Sequence, residues 1–365
     1  MSLEPVGVAG AGTMGAGIAA LAAASGLRTL LYDPDPDALA RAPEGPERVA
    51  DLGALAPCRL VIEAAPEDLE VKRALFARLA ELVDADAVLA TNTSSLSVTA
   101  LAAGVPQPGR VVGMHFFNPP QKMRLLEVVA GDDSAPEAVA AARAAGEAMG
   151  RHVIEAADGI GFIVNRCNRP FTLEALRIVQ ERIATPEDVD RSCRRGGFRM
   201  GPFALMDLVG IDTGLAVARS FYEQSFGEPR WRPSPLAARL VASGRLGRKS
   251  GRGWYEYPPG PARDDPGEPI EPSQDPVLER ITVQLVNEAC FALTEGVGSA
   301  ADIDAGMVLG LNHPRGPLEW GDAIGPDRVL FALRRLHAEY GEERYRAAPA
   351  LTRAVRDGAS LRDHG

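Results

Sequence analysis

Lysine is nearly missing from this chain of 365 residues: of its 39 basic residues only Lys72, Lys122 and Lys249 are lysine. Arginine replaces lysine on most solvated surfaces at little cost. Lysine should persist where a compact point charge on a thin stem is needed, which marks these three positions. Cysteine is scarce too. Cys58, Cys167, Cys193 and Cys290 form no CxxC pair and have no histidine at metal-ligand spacing, so no metal site is expected and a reduced, cytoplasmic setting is. Positive charge is not in excess. The formal net charge is −10, and neither nucleic acid nor an anionic membrane is an expected partner. One apolar, uncharged run, 6–27, resembles the core of a secretion signal. It lacks a positive segment ahead of it, Glu4 being the only charged side chain there, and is rich in glycine, so it is not taken as one. What remains is an ordinary soluble composition, 46% apolar and 24% charged, with length for two to three domains.

The order of elements divides the chain. Val6–Ala9 is a short apolar strand that runs into Gly10-Ala11-Gly12-Thr13-Met14-Gly15 and an alanine-rich helix to about Ser25. Strands follow at 29–32, 60–64, 87–91, 110–117, 125–130 and 152–156, with helices over 68–83 and 135–149. Such alternation means a doubly wound parallel sheet. From about Gly161 onward the pattern turns helical.

The helical part repeats itself. Glu174-Ala175 recurs as Glu288-Ala289, Asp188-Val189-Asp190 as Asp302-Ile303-Asp304, and Gly196 as Gly310. After one inserted residue, Gly201-Pro202, Asp207, Gly210 and Asp212 recur as Gly316-Pro317, Asp322, Gly325 and Asp327. The expected fold is an α/β Rossmann-like doubly wound domain (1–158) followed by two tandem all-α domains (159–258 and 274–365). A proline-rich, acidic linker (259–273) separates the two copies.

Two features carry chemistry. A GxGxxG between a strand and a helix, followed by Asp33 at the end of the next strand, is the context of a dinucleotide site. Gly10 makes the turn, Gly12 admits a pyrophosphate to the helix N-terminus, and Gly15 lets helix and strand pack closely. Asp33 suits ribose hydroxyls and would repel a 2′-phosphate, favouring NAD over NADP. Second, Glu127 stands among Leu125, Leu126, Val128 and Val129, where a carboxylate is costly unless paired. His115, at the end of the preceding strand, is the obvious partner. Glu127 would set its tautomer and stabilise its protonated form, which suits a base beside a nicotinamide.

Here the residues resemble a family. Asn92-Thr93-Ser94-Ser95-Leu96, His115-Phe116-Phe117-Asn118-Pro119, Leu126-Glu127-Val128, Gly161-Phe162-Ile163-Val164-Asn165-Arg166, Met200-Gly201-Pro202-Phe203 and the segment 247–255 are similar to the L-3-hydroxyacyl-CoA dehydrogenase (3-hydroxybutyryl-CoA dehydrogenase) family, over about residues 5–350. The resemblance implies an NAD-dependent enzyme that oxidises the C3 hydroxyl of an acyl-CoA in fatty-acid or aromatic-acid breakdown. It implies His115 as general base, Glu127 as its partner, and Ser94 and Asn165 as hydrogen-bond partners of the substrate oxygens. Around NAD it implies Gly10, Gly12, Thr13, Met14, Gly15, Asp33, Ala64, Glu67, Lys72, Ser94, Asn118 and Lys249. Without the family, Lys72 is a solvated cation early in a helix and Ser94 a loop serine or helix cap. Lys122 matches no family position, and is either a surface residue or a substrate contact.

In single-copy relatives the helical domain pairs two subunits, so the second copy is expected to pack on the first as a built-in partner, leaving a monomer or homodimer. Asn165 falls opposite Glu279, so only the first copy keeps the polar group the chemistry needs. Three departures stand out. The segment 33–60 is short and proline-rich where relatives have a longer helical excursion toward CoA, though Arg41, Arg48 and Arg59 are nearby. Arg124 replaces a frequent lysine, and Ala204 a usual glutamate. The short segment leaves open a dehydrogenase of a free hydroxy acid of the gulonate or carnitine type. A non-catalytic NAD-binding protein fits poorly with the set Ser94, His115, Glu127 and Asn165. With a Rossmann strand at Val6, no fused hydratase is expected ahead of it.

Overall fold

Short apolar runs closed by glycine or by acidic caps become strands in the computed structural model, which describes residues 3–257 and 267–364. The chain forms two compact units, Met1–Phe162 and Ile163–Gly365. Of the expected linker 259–273, residues 259–266 lie outside the described residues. Beyond them Ile270 N donates to Arg195 O at 3.0 Å.

The first unit runs β1 (Val6–Ala9), α1 (Thr13–Ala24), β2 (Thr29–Tyr32), α2 (Pro36–Arg41), β3 (Glu47–Val49), β4 (Leu60–Glu63), α3 (Leu69–Leu82), β5 (Val88–Thr91), α4 (Val98–Ala102), β6 (Val111–Phe116), β7 (Leu125–Ala130), α5 (Pro136–Ala148) and β8 (His152–Ala157). The sheet order is β3-β2-β1-β4-β5-β6-β7-β8, so the chain reverses direction between β1 and β4. That is the switch point where ligands bind in open α/β sheets. The structure adds α2 and β3 within the proline-rich segment 33–60, for which no element was named above. Pro36 sits in the first turn of α2, where a missing N–H costs nothing, and Asp35 caps that helix through Asp37 N at 2.9 Å.

The sheet differs from a wholly parallel one at a single pair: β6 and β7 are antiparallel. The connection 117–124 is too short for a parallel crossover, which takes about a dozen residues or more. The consequence is chemical, because the antiparallel register sets His115 directly opposite Glu127. Alternation of side chains does the rest. Val6, Val8, Leu60, Ile62, Val88, Ala90, Val112, Met114, Leu126 and Val128 share one core with α1 and α5. Glu63, Thr91, His115 and Glu127 take the intervening positions and face the other way.

The second unit is helical: α6 (Val164–Cys167), α7 (Arg169–Gln180), α8 (Pro186–Arg195), α9 (Pro202–Val209), α10 (Ile211–Gln224) and α11 (Pro235–Ala242), then α12 (Pro276–Thr294), α13 (Ala300–Leu311), α14 (Pro317–Ile324), α15 (Pro326–Tyr340) and α16 (Pro349–Asp357). The repeated residues are caps and turns. Asp190 accepts from Phe203 N and Ala204 N at the start of α9, as Asp304 does from Leu318 N and Glu319 N at the start of α14. Gly210 and Gly325 have φ of 105° and 102°, backbone that an L side chain rarely adopts. The copies differ where Pro170 interrupts α6–α7, while Gln284 at the matching place lets α12 run unbroken.

The two copies exchange ion pairs reciprocally. Arg166 reaches Glu288 (3.0 Å) and Glu295 (2.7 Å), and its counterpart Arg280 reaches Glu174 (2.5 Å) and Glu181 (2.8 Å). Burial opposes both guanidinium charges, yet these glutamates hold both above the ordinary arginine value. Contact of i with j matched by contact of j with i marks a two-fold, isologous interface, here within one chain.

Candidate active site

The glycine loop is tightly built. A side chain at Gly10 would collide with the carbonyl of Ala64, and one at Gly15 with the carbonyl of Gly10. One at Gly12 would meet nothing, and Gly12 is the N-cap of α1 with no side chain closing the helix end. Exposed Thr13 and half-buried Met14 continue from it. Free N–H groups at an open helix N-terminus, with room in front, fit the pyrophosphate of a dinucleotide. Asp33, at the tip of β2, accepts from Ala11 N at 2.6 Å and from Asp35 N at 2.8 Å, which ties the acidic residue to the loop.

Beside this loop lies a buried network that joins Lys72 and Glu67 to Glu63, a residue sequence reasoning missed. Glu63 is wholly buried and accepts from Lys72 Nζ (2.6 Å), Ala65 N (2.5 Å) and Thr91 Oγ1 (2.7 Å). Lys72, 1% exposed, also meets Ala65 O (3.1 Å) and Glu67 (3.3 Å). It is therefore no solvated cation, and an ammonium has only three protons to give. Glu67 in turn accepts from Thr93 Oγ1 (2.6 Å), Ser94 N (3.1 Å) and Ser95 Oγ (2.9 Å). Burial pushes the Glu67 carboxyl up, but Thr93, Lys72, Ser95 and Ser94 together hold it below its ordinary value. The signal available in the sequence was an acid closing the apolar run of β4.

That network fixes the turn that carries Ser94. Asn92 Oδ1 accepts from Phe116 N at 2.9 Å, tying the same turn to the strand of His115. His115 Nδ1 lies 2.6 Å from Glu127 Oε2, with Glu127 wholly buried and His115 nearly so. A carboxylate only accepts, so the bond places the proton on Nδ1 and leaves Nε2 as an acceptor. Phe117 and Phe162 pack on the imidazole at ring separations of 4.6 and 5.9 Å. Phe162 holds its place with φ of 50°. Asn118 and Lys122 are exposed in the following loop, which Arg151 clamps through the carbonyls of Pro120 (3.3 Å) and Met123 (2.5 Å).

The first unit thus brings together the glycine loop, Asp33, Ala64, Glu67, Ser94, His115 and Glu127 at the C-terminal edge of its sheet. Lys72 and Asn118 also belong to the first unit, whereas two expected residues, Asn165 and Lys249, belong to the second. Asn165 lies on α6, and Lys249 pairs with Asp212 at 2.7 Å in the turn after α11. Among the described residues no group of three or more His, Cys, Asp or Glu is placed to hold a metal ion, and no helix is long and apolar enough to cross a membrane.

Comparison with known proteins adds a family to this geometry. The model of the 3-hydroxyacyl-CoA dehydrogenase NAD binding domain matches residues 5–50 and 47–159, and that of the C-terminal domain matches twice, at 161–257 and 277–365. The chain is 36% identical to 3-hydroxyadipyl-CoA dehydrogenase of Escherichia coli K12, over 96% of this chain and 97% of that protein. It is 39% identical to 3-hydroxybutyryl-CoA dehydrogenase of Mycobacterium tuberculosis, over 70% of this chain and 99% of that one. The crystal structure of an Escherichia coli 3-hydroxybutyryl-CoA dehydrogenase is similar with a TM-score of 0.90 at 34% identity, covering 98% of this chain and 99% of that chain.

Proposed function

The chain belongs to the 3-hydroxyacyl-CoA dehydrogenase family, with NAD as its cofactor, and from that premise we propose that it oxidises the C3 hydroxyl of an L-3-hydroxyacyl-CoA, with His115 as general base. The observation that carries the reading is the His115–Glu127 pair. With Nδ1–H committed to Glu127, Nε2 takes the hydroxyl proton, and the carboxylate stabilises the imidazolium that forms. Bound NAD would supply the acceptor for the hydride from C3. Ser94 and Asn165 orient the substrate oxygens. Gly10, Gly12, Thr13, Met14, Gly15, Asp33, Ala64, Asn118 and Lys249 hold the dinucleotide. Lys72 and Glu67 support it by fixing the turn of Ser94, since the protons of Lys72 are already engaged.

A second reading, oxidation of a free hydroxy acid, is favoured by one observation. Arg41, Arg48 and Arg59, the cations nearest the shortened segment, are engaged by Asp35 (3.8 Å), Ala42 O (2.6 Å) and Asp84 (2.9 Å). The assay is NADH consumption with acetoacetyl-CoA beside free 3-oxo acids, and turnover of the free acids alone would replace the acyl-CoA reading. His115→Ala is expected to lower kcat by about 10²–10⁴-fold with NADH affinity kept. Collapse of NADH binding would remove His115 from the role of base.

A further inference from the structure

Arg169 opens α7 one turn beyond Asn165, with Asn168 between them still in right-handed helical conformation (φ −83°, ψ −12°). Its Nε donates to the Asn165 carbonyl oxygen at 3.0 Å, and its guanidinium lies 5.2 Å from the centre of the Phe221 ring. Among the described residues its terminal nitrogens have no hydrogen-bond partner. Among the described residues no carboxylate lies within ion-pairing range. Burial accordingly pulls the Arg169 pKa down to about 10, the response of a half-buried cation with no counter-charge. The buried arginines of the same unit differ in having carboxylate partners. Arg166, Arg230, Arg280 and Arg344 each meet at least one glutamate.

The fold does not ask for this cation. In the second copy the matching residue is Val283, 1% exposed within α12, so an apolar side chain serves the helix there. Asn165 and Arg169 are replaced together, by Glu279 and Val283. A guanidinium whose terminal nitrogens meet no carboxylate suits the bidentate geometry of a carboxylate or phosphate.

We infer that Arg169 is a specificity residue that binds a second anionic group of the acyl-CoA substrate. This rests on the acyl-CoA reading above and on Asn165 as a substrate contact. Side chains four residues apart on a helix stand about 5–6 Å apart, so a carboxylate a few carbons beyond C3 falls within reach of Arg169. The substrate so favoured is a dicarboxylic acyl thioester. The phosphates of CoA present the same chemistry from the other end of the molecule.

The test compares wild type, Arg169→Gln and Arg169→Lys on three substrates: acetoacetyl-CoA, a six-carbon 3-oxo dicarboxylyl-CoA, and the phosphate-free pantetheine thioester of acetoacetate. Glutamine can keep the bond to the Asn165 carbonyl while removing the charge. For a distal carboxylate, Arg169→Gln lowers the preference for the dicarboxylyl substrate, as a ratio of kcat/KM values, by about 10–100-fold, mainly through KM, and Arg169→Lys restores part of it. For a CoA phosphate, both CoA thioesters lose equally and the pantetheine thioester does not, which also supports the inference. Equal losses on all three substrates, or none, would overturn it. A wild type inert toward every thioester would overturn the parent reading and this inference with it, whereas an active wild type matched by Arg169→Gln would overturn the inference alone.

Discussion

The two helical copies carry out one architectural task with different side chains left over. Each closes the start of its third long helix with an aspartate, Asp190 or Asp304, and turns at a glycine of the same left-handed backbone. Each also fastens its final turn to an aspartate: Asp207 accepts from Trp254 N and Tyr255 N, and Asp322 from Leu361 N and Ser360 Oγ. Each lends an arginine to the other's glutamates. They part company at the segment leading into the first long helix, where one copy has Asn165, Arg169 and the break at Pro170 and the other has Glu279, Val283 and an unbroken helix. The second copy kept the parts that fold and pair. It did not keep those on which the proposed chemistry depends.

Breaking the shared part has the largest expected effect. Glu288→Gln takes one of their carboxylates from the buried Arg166 and Arg230, and Glu174→Gln does the same to Arg280 and Arg344. Each substitution is expected to lower the unfolding free energy by about 3–5 kcal/mol, measured by denaturant unfolding. If only one of them destabilised the protein, the exchange would not be symmetric in energy.

The divergent part is tested by activity. Asn165→Ala is expected to lower kcat by about 10²–10³-fold, the loss typical when a hydrogen bond to a reacting oxygen is removed. Its counterpart Glu279→Ala touches only an exposed pair with Arg335, worth at most about 1 kcal/mol of stability. Equal activity losses in both variants would end the division of labour.

The smallest effect is a difference in pH response. Burial raises the Asp304 pKa to about 6 against the pull of its two backbone donors, while Asp190, also raised by burial, has the Tyr255 hydroxyl as a third donor. A carboxyl with a raised pKa in the folded state binds its proton more tightly there. Its contribution to stability is present below about pH 4 and is lost as pH rises through 6. Asp304→Asn removes that loss, so relative to wild type it is expected to gain on the order of 1 kcal/mol between pH 4 and pH 7, read from unfolding curves. No change in the difference across that range would place the Asp304 carboxyl at its ordinary pKa.

Much of this was legible beforehand, for particular reasons. The recurrence of Asp190, Gly210 and Asp212 could be read because turns and helix starts demand those residue types whatever surrounds them. His115 and Glu127 could be read because a carboxylate amid leucine and valine calls for a partner. Lys72 could not, since a lysine four residues past an aspartate in a helix looks the same whether its stem runs to solvent or under a strand. Glu174 and Glu288 were visible as recurring residues, but nothing local says that Arg166 and Arg280 each reach the glutamate of the other copy.

From its residues alone, then, this protein determined where its chain turns, which residues start each helix, that a dinucleotide loop opens it and that its helical part is doubled. These follow from dihedral preference and from the period of apolar residues, which act over a few residues at a time. The antiparallel pairing of β6 with β7, the burial of Lys72 on Glu63 and the crossed arginine–glutamate pairs were decided only by the folded structure. Arg166 and Glu288, for one, stand 122 residues apart. What selects them is the high cost of leaving a charge unpaired once packing has removed the water.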